Sequence, residues 1–150
     1  MKNNLTLPSL EDWGEIPPND YDLNYTFAKY QGKNIDDSVL MIQQSSQERL
    51  FEMQYMPIPV FKYYIFAFKK CLEIGSELGD LNFTFAHQYF VELVYLKMCE
   101  CPSSIQQIYP QLKPLLYQIT HHPQYFDIDS ENFKDLLDLY HQLEAKINLL

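Results

Sequence analysis

The sequence predicts an all-α fold, a single compact bundle of five or six helices, on three observations. Apolar residues recur at helical spacing through most of the chain, and no segment alternates apolar and polar residues as a half-buried strand would. Ten aromatic residues crowd the stretch 57–101, which holds five acids and four lysines and is close to neutral. No internal repeat of 30–50 residues is present, so a solenoid is not expected.

Residues 1–22 read as an extended acidic arm, and 23–150 as one helical domain. Pro8, Gly14, Pro17 and Pro18 interrupt helix in the arm, while Glu11, Asp12, Glu15, Asp20 and Asp22 make it negative. Trp13, the only tryptophan, either docks into a groove of its own domain or waits for a partner. A helical pattern starts at Asn24 with Tyr25, Phe27, Ala28 and Tyr30 and closes at Gly32. Asn34 then caps a helix with Asp36 and Asp37 in its first turn, where the helix dipole favours acids, and with Val39, Leu40 and Ile42 on its apolar side. Ser45 and Ser46 weaken that helix. It resumes over 47–55, where Leu50, Phe51 and Met53 are expected inward and the only arginine, Arg49, sits between Glu48 and Glu52.

The break Pro57-Ile-Pro59 opens the helix 58–74, apolar nearly all round and therefore buried on several sides. Gly75 and Gly79 mark a connection to a second apolar helix, 83–100, capped by Asn82. These two are expected as the central pair of the bundle. Ser103 should cap a helix from Ser104 to about Thr120, bent or restarted at Pro110 and Pro114 and ended by His121-His122-Pro123. In the last helix, capped by Ser130, residues Phe133, Leu136, Leu137, Tyr140, Leu143 and Ile147 share one side, and Glu131, Asp135 and Asp138 share the opposite side.

A 150-residue chain with 47% hydrophobic residues is ample for a core, which excludes disorder or a disulfide-stapled miniprotein. Its net charge of −9 disfavours nucleic acid, because phosphate binding draws on Lys and Arg, and it disfavours an anionic membrane surface for the same reason. The charge permits steered encounter with a basic partner, and it also serves simple solubility. Lys2 is followed by no apolar h-region, and the longest apolar run is Tyr63 to Phe68, so neither a signal peptide nor a membrane span is expected and the cytoplasm is the expected location. Cys71, Cys99 and Cys101 read as buried free thiols.

No residues combine into a catalytic signature, and no cofactor, metal or catalytic residue is expected. Gly75-Ser-Glu-Leu-Gly79 lacks the Lys-Ser/Thr of a phosphate loop, there is no His-Glu-x-x-His, and Cys99-x-Cys101 has no second pair at zinc spacing. His121-His122 with Asp127 or Asp129 could ligate a cation but equally suits a helix C-terminus. His87 has no nucleophile or carboxylate at helical spacing to complete a nucleophile–base pair.

The unabsorbed feature is carboxylate density. Asp127, Asp129, Glu131, Asp135 and Asp138 fall within twelve residues with only Lys134 among them, and such crowding costs stability that a positive partner would relieve. The run Tyr30-Gln-Gly-Lys33, Gln47-Glu-Arg-Leu50 and Met56-Pro57 before Phe61-x-Tyr63-Tyr64-x-x-Ala67-Phe68 resembles small acidic bacterial immunity-type proteins, which neutralise toxins. The resemblance covers roughly residues 25–75. It implies a cytoplasmic inhibitor of a basic toxin domain, such as a nuclease, and assigns no residue a role. The candidate partner-binding residues, taken from the charge pattern, are therefore Asp127, Asp129, Glu131, Asp135 and Asp138, aided by Glu11, Asp12, Trp13 and Glu15, with Tyr125 as a further aromatic anchor. The alternative is a self-associating structural or regulatory helical module, a homodimer held by aromatics, with no toxin partner.

Overall fold

A computed structural model describes residues 5–78, 83–126, 128 and 130–150. The chain is all-α. Nine α-helices, two 3-10 turns and no strand occur among the described residues, more helices than the five or six expected, because short helices form in the arm and at the serine and proline breaks. The chain divides into two compact units, 1–84 and 85–150.

The first unit contains α1 (Leu10–Trp13), α2 (Tyr21–Tyr30), α3 (Ile35–Gln44), α4 (Ser46–Glu52), a 3-10 turn (Met53–Tyr55) and α5 (Ile58–Leu78). The arm is not wholly extended. Ser9 and Asp12 form a reciprocal capping box: Asp12 N–H donates to Ser9 Oγ at 3.2 Å and Ser9 N–H donates to Asp12 Oδ2 at 2.9 Å. That satisfies enough orphan donors for one helical turn, which Gly14 stops at φ 72°, a conformation open to glycine at little cost. The turn delivers Trp13 inward, 2% exposed and edge-on to Phe27 with ring centroids 5.2 Å apart.

Asp20 caps α2 by accepting from Leu23 N–H at 3.1 Å, so this helix starts earlier than the apolar pattern suggests. Asn34 caps α3 as expected, accepting from Asp37 N–H at 2.8 Å, and Ser45 separates α3 from α4. Three apolar assignments do not hold. Leu40 is 58% exposed and Tyr25 52% exposed, because each lies about 100° round its helix from the residue that is buried, Val39 and Thr26 respectively. Phe51 is likewise partly exposed, edge-on to Phe83 at 5.2 Å.

α5 packs mainly along α3 and also meets α1. It buries Val60, Phe61, Tyr64, Ile65, Phe68 and Cys71 completely, each large side chain adding ~1.5–3 kcal/mol. α5 runs through Gly75, while Gly79 and the expected Asn82 cap lie outside the described residues.

The second unit contains α6 (Ala86–Glu100), α7 (Pro102–Gln106), α8 (Tyr109–His121), a 3-10 turn (Pro123–Phe126) and α9 (Ser130–Asn148). α6 packs chiefly on α9 and also on α7 and α8, with Phe90, Val91, Leu93, Val94 and Met98 buried. Thus each of the two apolar helices is the hub of its own unit. Cys101, not Ser103, precedes the helix after α6, with Pro102 at its first position, and the chain restarts at Tyr109 with Pro110 in the first turn and Pro114 within. α9 buries Leu136, Tyr140 and Leu143, as its spacing predicts. No helix among the described residues is long and apolar enough to cross a membrane.

Candidate functional site

The amphipathic spacing of α9 turns three carboxylates outward. Glu131, Asp135 and Asp138 are all exposed and fall within about 60° of helix arc at 100° per residue. Among the described residues none of the three forms an ion pair, although Lys134 lies beside them on the same helix. The fourth acid of α9, Glu144, is different: it faces α8 and takes Lys113 Nζ at 2.8 Å and the Tyr140 hydroxyl at 2.8 Å on the same oxygen. Burial pushes its carboxyl up, but the hydrogen bonds from Lys113 and Tyr140, with the Lys113 charge, outweigh that and hold it below its usual range. α9 therefore spends one acid on its own fold and leaves three for water or a partner. Asp127 and Asp129 lie outside the described residues.

The other sequence-predicted residues belong to the first unit. Glu11, Asp12 and Glu15 are exposed, but the Asp12 carboxylate is engaged by Ser9 in the capping box, and Glu11 stands in the first turn of α1 where the dipole favours it. Trp13 is no exposed anchor. Its ring is sealed against Phe27, and its Nε1–H has no acceptor among the described residues. Tyr125 is 74% exposed.

Charges also enter the interior. Arg49 is 5% exposed, with Glu48 Oε2 3.1 Å from one guanidinium nitrogen and Glu52 Oε1 3.0 Å from Nε. The Nε–H does not point at the Glu52 oxygen, so the pair is an ion pair without a hydrogen bond. Burial raises the Glu52 carboxyl above its usual range despite Arg49 and Lys29. In the second unit Lys97 is 1% exposed, 3.4 Å from Glu100, and burial lowers its ammonium against the pull of that carboxylate.

The thiols and imidazoles are separated by environment. Cys71 is buried and its thiol is pushed up to about 12 by burial, leaving it inert at neutral pH, whereas Cys99 is exposed and Cys101 half-buried, contrary to a uniformly buried set. His87 is half-buried against Phe126, with ring centroids 4.6 Å apart, and burial lowers its imidazole. His121 stacks on Tyr117 at 3.8 Å and meets Tyr140 edge-on at 5.0 Å. Among the described residues no three His, Cys, Asp or Glu side chains converge as metal ligands.

A concavity in the first unit was not anticipated. It encloses about 740 Å³ between α2, α3 and α4, and its walls include Tyr25, Lys29, Lys33, Asp37, Leu40, Glu48 and Arg49. The only sequence signal for it is the spacing of Lys29 and Lys33 beside exposed-facing Tyr25, which the apolar pattern obscures. Comparison with protein-family models, curated proteins and solved structures finds no match to this chain.

Proposed function

We propose that this chain is a non-catalytic acidic binding protein that sequesters a basic protein partner, in the manner of a cytoplasmic immunity protein neutralising a toxin domain. The observation that carries the reading is the α9 strip: Glu131, Asp135 and Asp138 are exposed on one side of a helix, and no cation among the described residues pairs with them. Three unscreened carboxylates in an arc attract Lys- and Arg-rich surfaces over about a Debye length, ~8–10 Å at physiological salt. Docking would relieve their mutual repulsion. Such rim charges raise the association rate, while an aromatic anchor such as Tyr125, 74% exposed, lowers the dissociation rate.

The test pairs a basic toxin-like protein made alongside this one with the wild-type chain and with Asp135→Lys/Asp138→Lys, and measures association by stopped flow. The reading expects the association rate of the variant to fall about tenfold at low salt, the difference shrinking as salt rises. An unchanged rate removes the α9 face from the proposal. A salt-indifferent, concentration-dependent dimer of the chain alone would favour the self-associating module.

A further inference from the structure

The groove of the first unit has a charge character opposite to that of the molecule around it. That unit carries seven Lys and Arg against twelve Asp and Glu. Three of those seven cations, Lys29, Lys33 and Arg49, line one groove with only two carboxylates, Asp37 and Glu48. Glu48 is already held by Arg49 at 3.1 Å. Neither Lys29 nor Lys33 has a carboxylate at ion-pair distance among the described residues. The Lys29 ammonium instead lies 5.2 Å from the Tyr25 ring centroid, and the Arg49 guanidinium carbon lies 5.8 Å from the same ring. Both cations thus lie over the Tyr25 ring while about half its surface stays open, and Leu40 offers an apolar surface on the facing helix. Arg49 is fixed by burial and by its two glutamates, which compensate its charge, so it is a rigid part of the wall and the uncompensated positive charge is that of Lys29 and Lys33.

We propose that this groove is a binding site for a small organic oxyanion with an apolar body, a carboxylate or a phosphate monoester. Its charged end pairs with the Lys29 and Lys33 ammonium groups, and its body lies on Tyr25 and Leu40. A groove of about 740 Å³ is within the size range of small-molecule sites. Asp37, on the same wall, disfavours ligands of high negative charge and so favours the singly charged carboxylate over the more highly charged phosphate monoester. This site is independent of the α9 face and of any basic partner.

The experiment titrates the full ¹⁵N-labelled chain with benzoate, phenyl phosphate and the neutral benzyl alcohol, following amide shifts. Saturable shifts confined to residues 25–49 for either anion support the site, and whichever anion binds tighter tells carboxylate from phosphate. Lys29→Gln/Lys33→Gln should weaken that anion by about tenfold for each ammonium removed, with an otherwise unchanged spectrum showing that the fold is kept. Asp135→Lys/Asp138→Lys should leave the affinity as it was. The proposal is overturned if neither anion gives saturable shifts, if benzyl alcohol binds as tightly as the anions, or if the double lysine variant binds them undiminished.

Discussion

The two units use tyrosine hydroxyls for opposite purposes. In the first, Tyr30 and Tyr64 are fully buried and meet edge-on, with ring centroids 4.9 Å apart. Tyr64 donates to the carbonyls of Tyr30 at 2.7 Å and Lys33 at 2.8 Å, at and just beyond the end of α2, and Tyr30 donates to Arg49 C=O at 2.7 Å near the end of α4. The Tyr30 and Arg49 carbonyls are among those a helix C-terminus leaves without an intrahelical donor, so each phenol closes a helix end from the core. In the second unit the Tyr140 hydroxyl donates to the carboxylate of Glu144, which Lys113 shares. Neutral acceptors make the first arrangement indifferent to salt and mild acid. A charged acceptor makes the second dependent on both.

The largest effect that would sharpen this contrast comes from Tyr64→Phe. It removes the hydroxyl donor from the Lys33 carbonyl, while the Tyr30 carbonyl keeps the Lys33 N–H at 3.0 Å, and should cost about 1–3 kcal/mol, read by chemical denaturation, with the same loss at low and high salt. A loss under about 0.5 kcal/mol would break the comparison. Next is the pH response of the second unit. The Glu144 carboxyl is held below its usual 4.5 in the folded state, so it contributes stability above the unfolded value, and that contribution disappears as pH falls through the folded one. Glu144→Gln should therefore lower stability at neutral pH and flatten the decline below about pH 4.5, while the first unit's Tyr64→Phe penalty stays constant over the same range. The smallest effect belongs to Lys113→Met. The lysine is about half exposed, so its removal should cost ~0.2–1 kcal/mol and the difference should fade with added salt.

Much of the architecture is local and could be read directly from residues. Asn34 before two aspartates marks the start of α3, the Ser45-Ser46 pair marks the break before α4, and the spacing Leu136, Tyr140, Leu143 sets the buried side of α9. The same spacing places Glu131, Asp135 and Asp138 outward. α1 was hidden because its capping box uses Asp12 where the more familiar pattern has Glu or Gln, and because the surrounding prolines and glycine suggest only extended chain. Trp13 illustrates the consequence. Among acids it looks available to a partner, yet one capped turn is enough to carry its ring into the core.

The candidate sites divide along the same line. The α9 strip is a property of one helix, legible from its own period. The groove needs Tyr25, Leu40 and Arg49 from three helices and Lys33 from the loop after α2 brought together, and no local pattern places Leu40 outward when its neighbour Val39 goes in.

By itself the sequence determined an all-α chain, the Asn34 cap, the Ser45-Ser46 break and an outward acidic edge on its last helix, because helical periodicity and capping act over a few residues. Tertiary structure alone decided which charges are buried, which are paired and which converge on a cavity. Arg49 enters the core, Glu144 is claimed by Lys113, and Lys29 and Lys33 are left facing a groove. Those outcomes depend on desolvation and on distances between residues far apart in the chain, which no local spacing encodes.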